Sequence, residues 1–320
     1  MDTHTNRTAR ILYPPLSPHE SGWLDVGDGH SIYWEVCGNP DGKPALFLHG
    51  GPGGSCQPDH RRLFDPHVYR IVLFDQRGAG RSRPKGSLQA NTTPDLVADI
   101  EKLRILLNVE NWLILGGSWG AALALAYAQA HPARVRAMVL RGVFTARQCE
   151  VDWLYKFGAS SIFPDSWQKF IGTIPESERD DLVAAYHRRL TDENVEVRRE
   201  FARLWCNWES ELLTLLPRPV RHSGASEGDL ALARIEAHYF VNGSFLHEGQ
   251  LLASMQHIAH VPGIIVQGRY DVVTPPRTAF ELKQIWPAAS LNIIPDAGHA
   301  TSEPGILAGL VDATDALRDR

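Results

Sequence analysis

Residues 116–120 read Gly-Gly-Ser-Trp-Gly, set between a short apolar run, Trp112–Leu115, and a train of small residues, Ala121–Ala130. A serine with glycine two residues away on each side suits a sharp, strained turn from strand to helix, because neighbouring backbone can then approach without a clash. Such a turn commits the chain to laying a helix back on the strand it has just left. The remaining sequence repeats that unit. Ala45–Leu48, Tyr69–Phe74, Val135–Leu140, Gly263–Gln267 and Ser290–Ile294 are short apolar runs with the length of buried parallel strands. Between them, Leu96, Ile100, Leu103 and Leu107 recur at helical spacing over Thr93–Leu107, with Thr93-Pro94 as a cap. Further helices are predicted at Arg277–Trp286 and from about Pro304. Gly22–Val26 and Ser31–Val36, joined around Gly27-Asp28-Gly29, read as a hairpin. The alternation predicts an α/β fold, a mostly parallel doubly wound sheet covered by helices.

The alternation breaks at 146–258. That stretch is rich in Trp and charge, shows helical periodicity in Asp180–Leu190 and Val195–Leu204, offers no convincing strand, and carries loops at Pro217–Pro219 and Ser223–Gly228. We therefore expect a core domain from residues 1–145 and 259–320, with 146–258 inserted as a helical cap over the carboxyl edge of the sheet, where open α/β sheets bind ligands.

Composition narrows the partners. A net charge of −5 with no basic block beyond pairs such as Arg198–Arg199 argues against nucleic acid and anionic membranes. The four cysteines, Cys37, Cys56, Cys149 and Cys206, have no metal-ligand spacing and are expected as free thiols. The first residues lack the apolar core of a signal peptide, and no apolar run approaches a bilayer span. A cytoplasmic, soluble protein is expected. Oligomeric state is not legible.

Serine is a poor nucleophile until a base takes its proton, so Ser118 requires a histidine that a carboxylate orients. In α/β hydrolases these follow in the order Ser, acid, His. Asp271 lies just after the strand Gly263–Gln267, and His299 just after Ser290–Ile294, so both fall at the sheet edge that carries Ser118. Asp296 rivals Asp271, but it is only three residues from His299 on the same loop. For the developing oxyanion, His49-Gly50-Gly51-Pro52-Gly53-Gly54 follows a strand where the fold places one backbone donor. Gly51 N–H is assigned that role and Trp119 N–H is the second donor. A phosphate-cradling loop is the competing reading of those glycines, but no Lys-Ser/Thr follows them.

These segments, together with Asp75-Gln76-Arg77-Gly78-Ala79-Gly80-Arg81-Ser82 and Gly268-Arg269-Tyr270-Asp271, resemble the proline iminopeptidase (prolyl aminopeptidase) family of α/β hydrolases, from Leu12-Tyr13-Pro14 to Asp296–His299. Trp205-Cys206-Asn207-Trp208-Glu209 and Ala233-Arg234-Ile235-Glu236-Ala237-His238-Tyr239-Phe240 are similar to two further motifs of that family. The resemblance implies release of an N-terminal proline from small peptides, through an acyl-enzyme and without metal or organic cofactor. It implies that Glu209 and Glu236 bind the substrate's free amino group and that Phe144 and Phe240 wall the proline pocket. Each glutamate, taken by spacing alone, equally suits a solvated helix face. Ala79 and Thr274 stand where many relatives have Cys. Neither departure is expected to affect the chemistry, and Cys56 and Cys206 are left as the thiols to check for reagent sensitivity. A carboxylesterase or acyltransferase using the same triad is the alternative, and a non-catalytic binding protein is a third. A carboxylate-nucleophile dehalogenase does not fit a serine at the turn.

Overall fold

The computed structural model describes residues 12–216 and 224–319. The loop reading at Pro217–Pro219, the residue Ser223 and the leader reading of the first residues lie outside them. Eight strands form one sheet: β1 (Glu20–Gly27), β2 (His30–Gly38), β3 (Lys43–Leu48), β4 (Tyr69–Phe74), β5 (Trp112–Ser118), β6 (Val135–Val143), β7 (Gly263–Gly268) and β8 (Ala289–Ile294). Their order is β1-β2-β4-β3-β5-β6-β7-β8. Every pair from β4 to β8 is parallel, and the hairpin β1–β2 adds to β4 antiparallel. This is the expected α/β sheet, and the parallel strands run past their apolar segments at the carboxyl end: β5 continues to Ser118 and β6 to Val143.

Alternate residues of the inner strands feed opposite faces. Leu46, Leu48, Val72 and Phe74 join one apolar cluster, whereas Ala45, Phe47, Ile71 and Leu73 join the other. Both faces are buried, which is why these strands read as unbroken apolar runs. Helices α1 (Thr93–Leu106) and α2 (Trp119–Ala130) cover the first face. The cap of α1 sits one residue earlier than the sequence suggests: Thr92 donates its N–H to Asp95 and accepts from Asp95 N–H, with Pro94 inside the first turn.

Between β6 and β7 the chain forms α3 (Gln148–Tyr155), α4 (Ala159–Ile162), α5 (Pro164–Ile171), α6 (Leu182–Leu190), α7 (Val195–Leu212), α8 (Glu227–Val241) and α9 (Gln250–Ala253), with no strand among the described residues. The tryptophans of this stretch are core. Trp205 and Trp208 are buried among Phe170, Tyr186 and Tyr155, with Phe170 stacked on Tyr186 at 4.4 Å and Tyr155 on Trp205 at 4.5 Å. After β7, α10 (Pro276–Gln284) packs on the first face, and α11 (Pro304–Ala316) buries Ile306 and Leu310 against the second.

All four cysteines are free. Cys56, however, is buried, its N–H given to Asp75 Oδ1 at 2.8 Å and its thiol pushed up by burial. Cys149 is the exposed thiol, and Cys206 is partly covered. Among the described residues, no helix is long and apolar enough to cross a membrane.

Candidate active site

Five strand ends converge on one cavity of about 480 Å³. Ser118 closes β5 and opens α2 with φ 59° and ψ −124°, a conformation that costs a non-glycine residue of order 1–3 kcal/mol. Close approach dictates the flanking glycines: a Cβ on Gly116 would lie 2.2 Å from Gly120 O, and one on Gly120 would lie 2.1 Å from Leu48 O. The loop after β3 lies against this turn, with Gly50 beside the Ser118 side chain. Gln76, at the end of β4, locks loop and turn together. Its N–H donates to His49 Nε2, its amide donates to His49 O, and its carbonyl accepts from Trp119 Nε1, each at 2.9 Å. Gly51 N–H has no hydrogen-bond partner among the described residues, and Trp119 N–H belongs to the first turn of α2, whose donors have no partner within the helix.

Asp271 and His299 meet at the neighbouring strand ends, both buried, with Nδ1 2.8 Å from Asp271 Oδ2. Asp296 is exposed on the His299 loop. Asp271 also accepts from Gln267 Nε2 at 3.1 Å and from Thr274 N–H at 2.8 Å. Thr274 Oγ1 lies 3.0 Å from Asp271 Oδ2 and 3.2 Å from His299 Nδ1. The reading that Thr274 leaves the chemistry untouched therefore needs correcting, because its hydroxyl bridges the acid and the imidazole. On the far side of the ring, Arg141 Nη1 lies 2.9 Å from Nε2. A guanidinium can only donate, so Nε2 is the acceptor and the ring proton sits on Nδ1, facing Asp271. That is the tautomer a general base requires. Burial pulls the Arg141 guanidinium down to about 10, against the charge of Asp271. Ser118 Oγ and His299 line the same cavity, but Arg141 occupies Nε2 in this state, and no hydrogen bond joins the hydroxyl to the ring among the described residues.

The opposite wall comes from the α-helical stretch. Glu209 on α7 and Glu236 on α8 both line the cavity, and neither points into bulk water. Glu236 accepts from Trp205 Nε1 at 2.8 Å, and Glu209 accepts from the Tyr155 hydroxyl. Burial raises both carboxyls, and Glu209's charge raises Glu236 further, so a proton is held here more tightly than on isolated carboxylates. Phe144 and Phe240 meet edge to face at 6.0 Å, and Tyr155 lies 5.7 Å from Phe240, forming an aromatic side to the same space.

Sequence reasoning did not find Tyr155, Arg141 or the contacts of Thr274. Arg141 did leave a signal, a cation ending the apolar residues 137–140 of the strand read at Val135–Leu140. Tyr155 left none, because an aromatic on an amphipathic helix reads as core. Among the described residues, no group of three or more His, Cys, Asp or Glu side chains is placed to hold a metal ion.

Residues 43–305 match the family model described as alpha/beta hydrolase fold. Proline iminopeptidase of Xylella fastidiosa (strain 9a5c) is 52% identical over 311 residues, covering 96% of this chain and 99% of that protein. The probable proline iminopeptidase of Leptolyngbya boryana is 50% identical, covering 96% of each. Proline iminopeptidase of Arabidopsis thaliana is 50% identical, covering 99% of this chain and 84% of that protein. Among solved structures, proline iminopeptidase of Mycobacterium smegmatis superposes with a TM-score of 0.55 at 18% identity, covering 93% of this chain and 99% of that one. An esterase from Exiguobacterium antarcticum gives 0.58 at 18% identity, covering 94% of this chain and 100% of that one. These two likenesses bear on the fold alone.

Proposed function

The chain belongs to the proline iminopeptidase family of α/β hydrolases, and we propose that it releases an N-terminal proline from peptides with Ser118, His299 and Asp271 as its catalytic triad. The carrying observation is the facing carboxyl pair on α7 and α8, within the same cavity as the strained serine. An N-terminal proline carries a secondary ammonium with one positive charge and two N–H bonds. A pair of carboxyls that share one proton carries one negative charge and presents two acceptors, so charge and donor count both match. A buried ammonium without such a partner would be prohibitively costly. The pyrrolidine ring then lies against Phe144, Tyr155 and Phe240, where an apolar wall suits a ring with little to hydrogen-bond.

With the ammonium seated, the proline carbonyl lies over Ser118. Arg141 yields Nε2 of His299, Ser118 Oγ attacks, and its proton passes to that nitrogen. Asp271 holds the resulting imidazolium. Gly51 and Trp119 N–H groups receive the oxyanion, each such donor supplying about 2.7–4 kcal/mol to the transition state. His299 returns the proton to the leaving peptide nitrogen, and water hydrolyses the prolyl ester by the same steps in reverse. Four free thiols fit a reducing cytoplasm, where we place the enzyme.

The test compares a proline arylamide with its N-acylated form. The free amine is expected to turn over and the blocked one to fail. Equal rates on both would remove the carboxyl pair from recognition and leave a general esterase or acyltransferase on the same triad.

A further inference from the structure

Glu303 stands just before α11, is 7% exposed, and contacts neither the reacting serine nor the acid pair. Both of its carboxylate oxygens are nevertheless committed. One accepts the N–H of Gly298, the residue before His299. The other accepts the N–H of Leu215 at 2.7 Å, in the segment that leaves α7. The two segments are also joined directly: His299 N–H and Ala300 N–H both donate to Leu213 O, at 2.9 and 2.8 Å. The approach is close, for a Cβ on Gly298 would lie 3.0 Å from Leu215 N. Leu213 follows α7 immediately, and Glu209 lies about one helical turn before it. The loop that carries the imidazole is thus clasped to the helix that presents the amine-binding carboxyl.

We propose that Glu303 is a positioning residue: it fastens the His299 loop to the end of α7, so that the imidazole and the amine anchor are held at a fixed separation. This rests on the reading of His299 as the base. A carboxylate suits the clasp because it offers an acceptor to each of two N–H groups. A glutamine of the same size would turn an NH2 toward one of them, leaving two buried donors face to face. Displacement of a catalytic group by about 1 Å is enough to cost about a hundredfold in rate.

The test is Glu303→Gln in the full chain, assayed with a proline arylamide and, separately, by the rate at which a fluorophosphonate labels Ser118, a reaction that needs the base but not the amine site. The expected result is a kcat about a hundredfold lower, KM little changed, and labelling slowed in step. Wild-type kcat and labelling would overturn the proposal, as would a defect confined to KM, which would make Glu303 an anchor of the cap alone. His299→Ala serves as the control. If it turns over like wild type, the triad reading fails instead, independently of Glu303. Should Glu303→Gln not fold, Glu303→Asp keeps the charge on a side chain one methylene shorter and is read by the same criteria.

Discussion

The sheet edge and the helical wall hold their carboxyls in opposite surroundings. Asp271 is met by four donors, from Gln267, the backbone and hydroxyl of Thr274, and His299, so its hydrogen-bonding capacity is filled before any substrate arrives. Glu209 and Glu236 are met by one tyrosine hydroxyl and one indole N–H, and otherwise by each other. The first arrangement fixes a geometry. The second leaves buried negative charge that a proton relieves in part and a bound cation would offset further. In the proposed mechanism catalysis and recognition draw on separate pieces of chain, the acid and imidazole held by donors of the sheet edge and the carboxyl pair by helices α7 and α8.

Breaking the filled site should cost most. Asp271→Asn exchanges an all-acceptor group for one that turns donors toward Thr274 or His299, and loses the tautomer. We expect kcat to fall by about 10⁴-fold, with fluorophosphonate labelling slowed as well. Breaking the unfilled site should be selective. Glu236→Gln keeps the charge of Glu209 but turns an NH2 toward the amine, and is expected to lower kcat/KM for a proline arylamide by about five- to a hundred-and-fifty-fold, the equivalent of about 1–3 kcal/mol for buried donors left facing each other, while leaving labelling of Ser118 unchanged.

The same variant has a signature in stability. Glu236 binds its proton more tightly folded than unfolded, so its contribution is fully present below the ordinary carboxyl range and is lost as pH rises through the folded value. Thermal melts from pH 5 to 8 should show the wild type losing stability relative to Glu236→Gln, by at most about 1.4 kcal/mol per pH unit. Tyr155, Cys206 and Asp229 also line that end of the cavity, and they are common to both proteins. A parallel pair of curves would mean that the carboxyls share no proton. The smallest effect sharpens the contrast from the catalytic side. Thr274→Val removes the hydroxyl that bridges Asp271 and His299, and about a tenfold loss in kcat with KM retained is expected.

The same division governs what was legible in the sequence. Strands buried on both faces announce themselves as apolar runs, and a serine turn flanked by glycines is local chemistry, so the sheet and the placement of Ser118, Asp271 and His299 at its edge could be read directly. Glu209 and Glu236 lie on different helices, and their meeting depends on how α7 packs against α8. No periodicity encodes that contact, and only family resemblance singled them out. Thr274 was noticed as a departure and misjudged, because a hydroxyl's partner is set by the third dimension. Glu303 gave no signal: a glutamate before Pro304 reads as a helix start, whereas its oxygens turn away to Gly298 and Leu215.

Arg141 gives the cavity a direction. A buried cation beside the imidazole and a net-negative carboxyl pair at the far wall set up an electric axis along the space between them. A substrate's free amine is accordingly expected to be favoured beside the carboxyl pair over the Arg141 end, whereas a substrate carboxylate at the pair would face like charge. Under the proposed function, charge as well as ring shape is then expected to decide which end of a peptide the acids accept.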